Sequence, residues 1–413
     1  MSNKNSENYN FVIVGAGPAG LTAGIVASRN GFSVIILEKG DKAGPKPRGE
    51  GMAHEKIVDD ILGKDYLPSI GFKSNGGRVW HSPGDLQTLT TYKEYNHYFF
   101  EWRTFIDRFV EVAQNSGIEI LTKSEVIEPI ERENSCNGIK YRDENGKIQE
   151  IYGNVILDCS GYSAVLGRYY NIPYDDQINC PIIKCLISEA NIDINETPDL
   201  NFYFIGNGDL DYSLAFPQCV AYIFPLENKR VEVGLMLRMA QVRNMKTVTI
   251  PSDDEIMRVW EEIKKSYPGF SEFFKGAKID YEEITAIPNA QMVENYVPIP
   301  GVILIGDSAG FVNPFGSSGL VYSMEMANFW VNLLSLKLKE LLGESEEITE
   351  TNRELFEGVE EYKKEFEESE VYKEVKSYYN LIGAFEYKIF NRLRTSEKIN
   401  KKWEYISNLL KQA

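Results

Sequence analysis

The 413-residue chain is 43% hydrophobic and 25% charged, the balance of an ordinary globular protein with length for one large α/β domain or about two or three modest ones. Its formal charge of −17 argues against nucleic-acid binding through phosphate neutralisation. Five cysteines without a Cys-x-x-Cys pair, and three scattered histidines (His54, His81, His97), leave neither a disulfide framework nor metal-ligand spacing, so no metal is expected.

Residues 1–10 are polar and lack the basic and apolar regions of a secretory signal. No stretch approaches the roughly 18 apolar residues of a bilayer span. The expectation is a cytoplasmic protein with free thiols. Short apolar, β-rich runs at 11–14 and 33–37 flank a helix-length segment at 19–30, a βαβ unit of ordinary size. A loop rich in Gly, Pro and basic residues follows at 40–52, then aromatic and Thr-rich strands between about 73 and 101. A helix over 102–116 carries Phe105, Phe109, Val112 and Ala113 at helical spacing, and strand 118–121 follows it. A strand pair surrounds the turn Asp143-Glu-Asn-Gly146, and an apolar run covers 155–157. From about 173 to 287 strands alternate around one acidic helix at 252–266, which reads as an inserted antiparallel sheet. The α/β pattern resumes at 301–305, and a long helix spans 319–341.

The tail changes composition. Residues 340–378 hold 14 Glu against 5 Lys and Arg, a solvated helical face. Residues 379–413 reverse sign, and Ile399, Trp403, Ile406 and Leu410 recur at helical spacing. This basic amphipathic helix either packs on the domain or lies on a membrane surface.

Gly15-Ala-Gly17-Pro-Ala19-Gly20 sits between the first strand and its helix. Gly15 permits the tight turn, Gly17 lets the backbone approach a pyrophosphate, and Gly20 lets helix and strand pack closely. The helix start offers unpaired N–H groups to phosphates. Glu38, at the end of the second strand, can accept ribose hydroxyls and disfavours a 2′-phosphate. Far along the chain, a buried strand ends in Gly306-Asp307, followed by Asn313-Pro314 and the turn Gly316-Ser317-Ser-Gly319 before Leu320 opens the long helix. Asp307 at a strand's carboxyl end could bind a polyol such as a flavin's ribityl chain, and the helix N-terminus could stabilise negative charge on a reduced ring.

These elements together resemble the FAD-dependent superfamily of the aromatic hydroxylases. There, a glycine turn, a middle Asp-Gly element and a late Gly-Asp element all touch one FAD. The middle element is similar to Asp158-Cys-Ser-Gly161 here, and Arg103 matches the arginine aimed at the FAD phosphates. The resemblance implies an α/β fold: a Rossmann-type FAD-binding domain at 1–172 and 288–335, an antiparallel substrate domain at 173–287, and a C-terminal helical region at 336–413.

Within the superfamily the chain looks most like the geranylgeranyl reductases. The matching stretches are Lys46-Pro47-Arg48-Gly49-Glu50-Gly51, Tyr222-Ile-Phe224-Pro225 with Gly234, and Gly310-Phe-Val-Asn313-Pro314 with the Gly316–Gly319 turn. Arg48 stands where that family usually has cysteine, Val220 and Tyr222 replace its Tyr and Trp, and Met236 replaces its second Gly. The resemblance implies saturation of isoprenoid double bonds in lipids, with a prenyl lipid or prenyl diphosphate as substrate and possible binding at the inner face of the cell membrane. Arg48, Tyr222, Gly316 and Ser317 are the candidate catalytic residues. With the cysteine replaced, Tyr222 or a water is the candidate proton donor, and Arg48 a ligand for FAD or for a substrate phosphate. Among the aromatics of the inserted sheet, alternation would place some of Tyr203, Phe204, Phe216, Tyr222 and Phe224 on a substrate-facing side. No second glycine fingerprint follows a strand, so the electron donor is external: ferredoxin, a reduced flavin or deazaflavin, or NAD(P)H. The alternatives are a flavin-dependent monooxygenase or halogenase of the same fold, and a non-catalytic flavin or lipid carrier.

Overall fold

The computed structural model describes residues 8–44, 47–92, 97–174, 180–193, 195, 199–206, 218–237, 251–287, 292–314, 319–342, 348–388 and 395–411. Strand Asn8–Val14 buries its last four residues completely or nearly so. Helix Pro18–Arg29 opens on a proline, whose missing N–H costs nothing in a first turn. Residues 19–27 of this helix are all buried, because the sheet covers one side and helix Leu320–Leu341 the other. Small residues (Ala19, Gly20, Ala23, Gly24, Ala27) let both neighbours approach.

The parallel part of the first sheet runs, in spatial order, Glu119–Leu121, Val34–Leu37, Asn8–Val14, Ile148–Asp158 and Val302–Leu304. Strand Ile148–Asp158 is longer than the sequence pattern suggests. The predicted hairpin arm and the apolar run at 155–157 are one 11-residue strand. Its first half pairs antiparallel with Ser135–Arg142, which pairs in turn with Glu125–Arg132.

The second sheet runs Lys278–Ile287, Cys180–Ser188, Val231–Leu237, Cys219–Pro225, Leu200–Ile205, Gly77–His81 and Thr88–Tyr92. Its pairs are antiparallel except Leu200–Ile205 with Gly77–His81. Two strands from the early part of the chain thus extend it. Helix Asp253–Ser266 covers one face, burying Ile256, Val259, Trp260 and Ile263 against Ile183, Val233 and Leu235. Tyr203 points to this face, stacked edge-on with Phe270, so it does not join the substrate-facing set; Phe202, Phe204, Tyr222 and Phe224 share the opposite face. Phe216 lies outside the described residues.

A small third sheet joins Gly49–Ala53, His97–Glu101 and Gly71–Lys73. All but the last residue of the first of these lie inside the segment expected to be a loop. Gly-Glu-Gly-Met-Ala carries no apolar alternation, and its strand form comes from pairing with His97–Glu101 rather than from local preference.

The C-terminal helices Ser396–Lys401 and Trp403–Leu410 lie on the Phe204 face of the second sheet. Ile399, Trp403, Ile406 and Leu410 are all buried there, and Trp403 meets Phe204 edge-on at 5.8 Å. Of the two readings of this helix, packing on the domain is the one observed. Trp403→Ala should therefore destabilise the protein by about 3–5 kcal/mol in chemical denaturation, with no change in vesicle binding. An unchanged unfolding midpoint would contradict this packing.

Candidate active site

In a parallel sheet every strand ends at the same edge, and the turns leaving that edge converge. Here Gly15 follows strand Asn8–Val14, Glu38 follows Val34–Leu37, Ser160 and Gly161 follow Ile148–Asp158, and Asp307 follows Val302–Leu304. All of them line one cavity of about 680 Å³, which reaches from this edge to the second sheet.

The glycine turn is built as its spacing implies. Gly15 has φ +100°, and a Cβ there would lie 2.5 Å from the Cys159 carbonyl oxygen. One on Gly20 would lie 2.0 Å from the Gly15 carbonyl oxygen. Gly17 has nothing within 4 Å of a Cβ position and lines the cavity, so its backbone is open to a ligand. The helix it starts has no side-chain cap and no acidic residue in its first turn, which leaves N–H groups for an anion. Glu38 accepts the Ala16 N–H at 2.9 Å and the Gly40 N–H at 2.7 Å, holding the turn while its side chain lines the cavity.

Of the sequence-predicted residues, Gly15, Gly17, Ala19, Glu38, Arg48, Gly161, Tyr222, Asp307, Gly319 and Leu320 are brought together on the cavity wall. Gly20, Arg103, Asp158 and Gly306 stand behind it. Arg103 donates to the Ala43 and Gly44 carbonyls at 2.8 and 3.0 Å, fixing a loop whose Gly44 does line the cavity. The wholly buried Asp158 carboxylate accepts from the N–H groups of Ser160, Leu166 and Gly167, and so shapes the turn that presents Gly161. Gly306, with φ +68°, packs on Ser323. Gly316, Ser317 and Lys46 lie outside the described residues.

The far wall comes from the second sheet: Ile182, Leu200, Phe202, Tyr222, Phe224 and Met236, with Lys184 among them. Where the third sheet meets the second, charges gather. The Arg48 guanidinium lies 4.1 Å from the centre of the Trp102 ring and 3.4 Å from Glu50, and Glu50 also pairs with Lys184 at 3.4 Å. Burial alone would raise the Glu50 carboxyl, but Lys184 and Arg48 overcome it and hold the group below its ordinary value. Glu232 has no exposed surface; it accepts the Gly49 N–H at 3.0 Å and the Tyr222 hydroxyl at 3.3 Å. A Cβ on Gly49 would lie 2.6 Å from that of Glu232, so only glycine lets the strand dock there. Gly234 makes the same allowance for the Tyr222 ring, 2.5 Å from its Cβ position. Burial pushes Glu232 up to about 7, and pushes Asp307 up to about 6 despite the pull of Arg48.

Lys184 and Glu232 escaped the sequence reading, and Glu50 appeared there only as part of a motif. A signal was present: one charged residue inside each of two otherwise apolar runs, Pro181-Ile-Ile-Lys184-Cys-Leu-Ile and Val231-Glu232-Val-Gly-Leu. A lone charge in a buried strand needs a partner across the fold.

The open Gly17 backbone, the uncapped helix start and the Glu38 carboxylate suit a pyrophosphate beside a ribose, and the elongated cavity suits a dinucleotide. Residues 10–174 match the family described as FAD dependent oxidoreductase. A digeranylgeranylglycerophospholipid reductase of Picrophilus torridus is 22% identical over 77% of this chain and 75% of its own. The fold is similar to that of a geranylgeranyl bacteriochlorophyll reductase-like protein from Thermoplasma acidophilum, with a TM-score of 0.71 at 16% identity over 98% of this chain and 99% of that one. A flavin-dependent brominase shares the fold with a TM-score of 0.65 at 18% identity over 97% and 94%. The chain is an FAD-dependent oxidoreductase and is similar to the geranylgeranyl reductases.

Proposed function

We propose that the chain saturates carbon–carbon double bonds of geranylgeranyl and related isoprenoid chains of membrane lipids. The carrying observation is the change of character along the cavity: polar at the glycine turn, and walled by Ile182, Leu200, Phe202, Phe224 and Met236 at the second sheet. A polyprenyl chain has no group that a polar site could grip, so apolar walls are what can hold it. The names of the curated relatives support the same substrate class.

The N–H groups of the glycine turn would hold the FAD pyrophosphate, Glu38 the ribose and Asp307 the polyol chain. FAD, once reduced, supplies a hydride, chemistry that no side chain offers. The protein's own part is positioning, water exclusion and charge. Arg48 and Lys184, with the uncapped start of helix Leu320–Leu341, favour negative charge in the middle of the cavity. Arg48 cannot serve as proton donor, because a guanidinium keeps its proton at any working pH. The reductant is an external donor such as ferredoxin, a reduced flavin or deazaflavin, or NAD(P)H. Prenyl lipids reside in bilayers, so the enzyme would meet them peripherally; among the described residues no helix is long and apolar enough to cross a membrane.

Supplied with a strong reductant and a digeranylgeranylglycerophospholipid, the holoenzyme should yield products heavier by two hydrogens per bond, read by mass spectrometry. A product gaining oxygen or halogen in air would instead assign the chain to the monooxygenases or halogenases that share its fold. Asp307→Ala removes a charge-assisted hydrogen bond worth about 1.5–3 kcal/mol. FAD affinity, followed by flavin fluorescence, should drop about tenfold or more. Unchanged affinity would remove Asp307 from the cofactor site.

A further inference from the structure

Hydride addition to an isolated alkene leaves the second carbon in need of a proton, and the family's cysteine is replaced here by Arg48. Asp307, at the end of the first sheet, is assigned above to the polyol chain, and few of the groups that the second and third sheets bring to the cavity can give one. Lys184 is tied to Glu50 at 3.4 Å, and losing its proton would strand the Glu50 charge in a protein-walled space. Glu50 is held ionised by Lys184 and Arg48, against the effect of burial. The His97 ring is driven down to about 3 by burial and by Arg78, so it carries no spare proton near neutrality. Tyr222 remains. Tyr222 lines the cavity, and its hydroxyl lies 3.3 Å from Glu232 Oε1 and 3.5 Å from the Ile183 carbonyl oxygen.

We propose that Tyr222 delivers the proton to the substrate carbon and that Glu232, which does not line the cavity, holds and supplies that proton through the Tyr222 hydroxyl. This rests on the reductase reading above. As the alkene π bond breaks, one carbon takes the hydride and the other takes the Tyr222 proton. The phenol oxygen recovers a proton from the Glu232 carboxyl as its own O–H bond breaks. The net change on the protein is carboxylic acid to carboxylate. When product leaves, water in the emptied cavity returns the proton along the same path.

The contact between Tyr222 and Glu232 is in place for the relay. Glu232 Oε2 accepts the Gly49 N–H at 3.0 Å; Oε1 accepts the Tyr222 hydroxyl when the carboxylate is ionised, and in the acid form it would carry the hydrogen and donate it to the phenol oxygen instead. A free tyrosinate in this setting is costly: burial and the Glu232 and Glu50 charges push the phenol far above its ordinary value. The transfer is therefore concerted, with Tyr222 as conduit rather than reservoir. The reservoir is poised for the task, because burial lifts Glu232 to about 7 even with Lys184 opposing. The charged and titratable groups acting on it are Lys184 from strand Cys180–Ser188, Glu50 and Arg48 from the third sheet and its approach, Tyr222 from Cys219–Pro225, Tyr281 from Lys278–Ile287, and Cys185 behind. Because the acid form is the working one, turnover is full below about 7 and falls as pH rises through it.

The test compares wild-type holoenzyme with Glu232→Gln and Tyr222→Phe, using reduced enzyme and geranylgeranyl diphosphate. Each variant should lose about a hundredfold or more in kcat, and the double variant little more than either alone. Glu232→Gln should also lose the alkaline fall of the pH profile, while FAD affinity and reduction potential stay at wild-type values. Infrared spectra of the wild type should show a protonated-carboxyl band that disappears as pH rises through neutrality and is absent in Glu232→Gln. Wild-type kcat and pH profile in both variants would overturn the relay and leave the reductase reading standing. If the wild type reduces no prenyl chain, that reading fails, and the infrared titration alone judges Glu232: a carboxyl already ionised across the neutral range overturns its role as proton holder.

Discussion

Strand Ile148–Asp158 pairs antiparallel with Ser135–Arg142 along its first half and parallel with Asn8–Val14 and Val302–Leu304 along its second. The parallel half aligns the carboxyl ends of neighbouring strands, and that alignment collects Gly15, Gly161 and Asp307 from distant parts of the chain. A one-residue slip in any of these pairings would exchange the two faces of the strand, each packed against different neighbours. Register is therefore fixed by burial: residues 153–158 of the strand are all buried, Asp158 included. The carboxylate that closes it is spent on backbone N–H groups, which ties the turn after the strand to the strand's own end.

The contact between the third sheet and the second is held differently. Gly49 comes close enough for its N–H to reach Glu232, and Glu50 pairs with Lys184 of the second sheet. These polar contacts stand beside an apolar one, the Phe99 ring stacked on Phe224 at 5.9 Å, and they come at the cost of burying ions. The balance is local: Glu50 has two cations and stays ionised, whereas Glu232 shares Lys184 at greater remove and is driven toward its neutral form. Two glutamates joined to the same short strand are thus pushed in opposite directions, Glu50 below its ordinary value and Glu232 up to about 7, the kind of divergence by which enzymes divide charge holding from proton transfer.

What the sequence revealed and what it hid follow from the same physics. The glycine turn and the Gly-Asp end were legible because backbone geometry there admits few residue types, and the requirement is satisfied within a few positions of chain. Asp158 was placed correctly in the chain and at the right edge of the sheet, but whether a carboxylate faces a ligand or its own turn depends on rotamer and burial. The strand Gly49–Ala53 left no trace, since its partner supplies the reason for its conformation. Tyr203 and Phe202 show the limit of alternation: it separates odd from even positions without saying which face holds the substrate, a choice made by pairing with Cys219–Pro225 and by the helix that covers the other side. Lys184 and Glu232 were hidden because a buried charge is explained only by groups far away in the chain.

The late return of strand Val302–Leu304 also orders events in time. Until it emerges, Ile148–Asp158 has an unpaired parallel edge, an exposed template for association with another chain. At a synthesis rate of roughly 5–20 residues per second, that exposure lasts on the order of ten seconds. The matched segment 10–174 already contains the glycine turn and Glu38, yet Asp307 and the helix start at Leu320 arrive only after the whole second sheet has been made. FAD is then a late ligand for a nascent chain: it can stabilise the finished fold by mass action, and its scarcity would be felt after synthesis, as slow loss of completed molecules rather than as failure to begin folding.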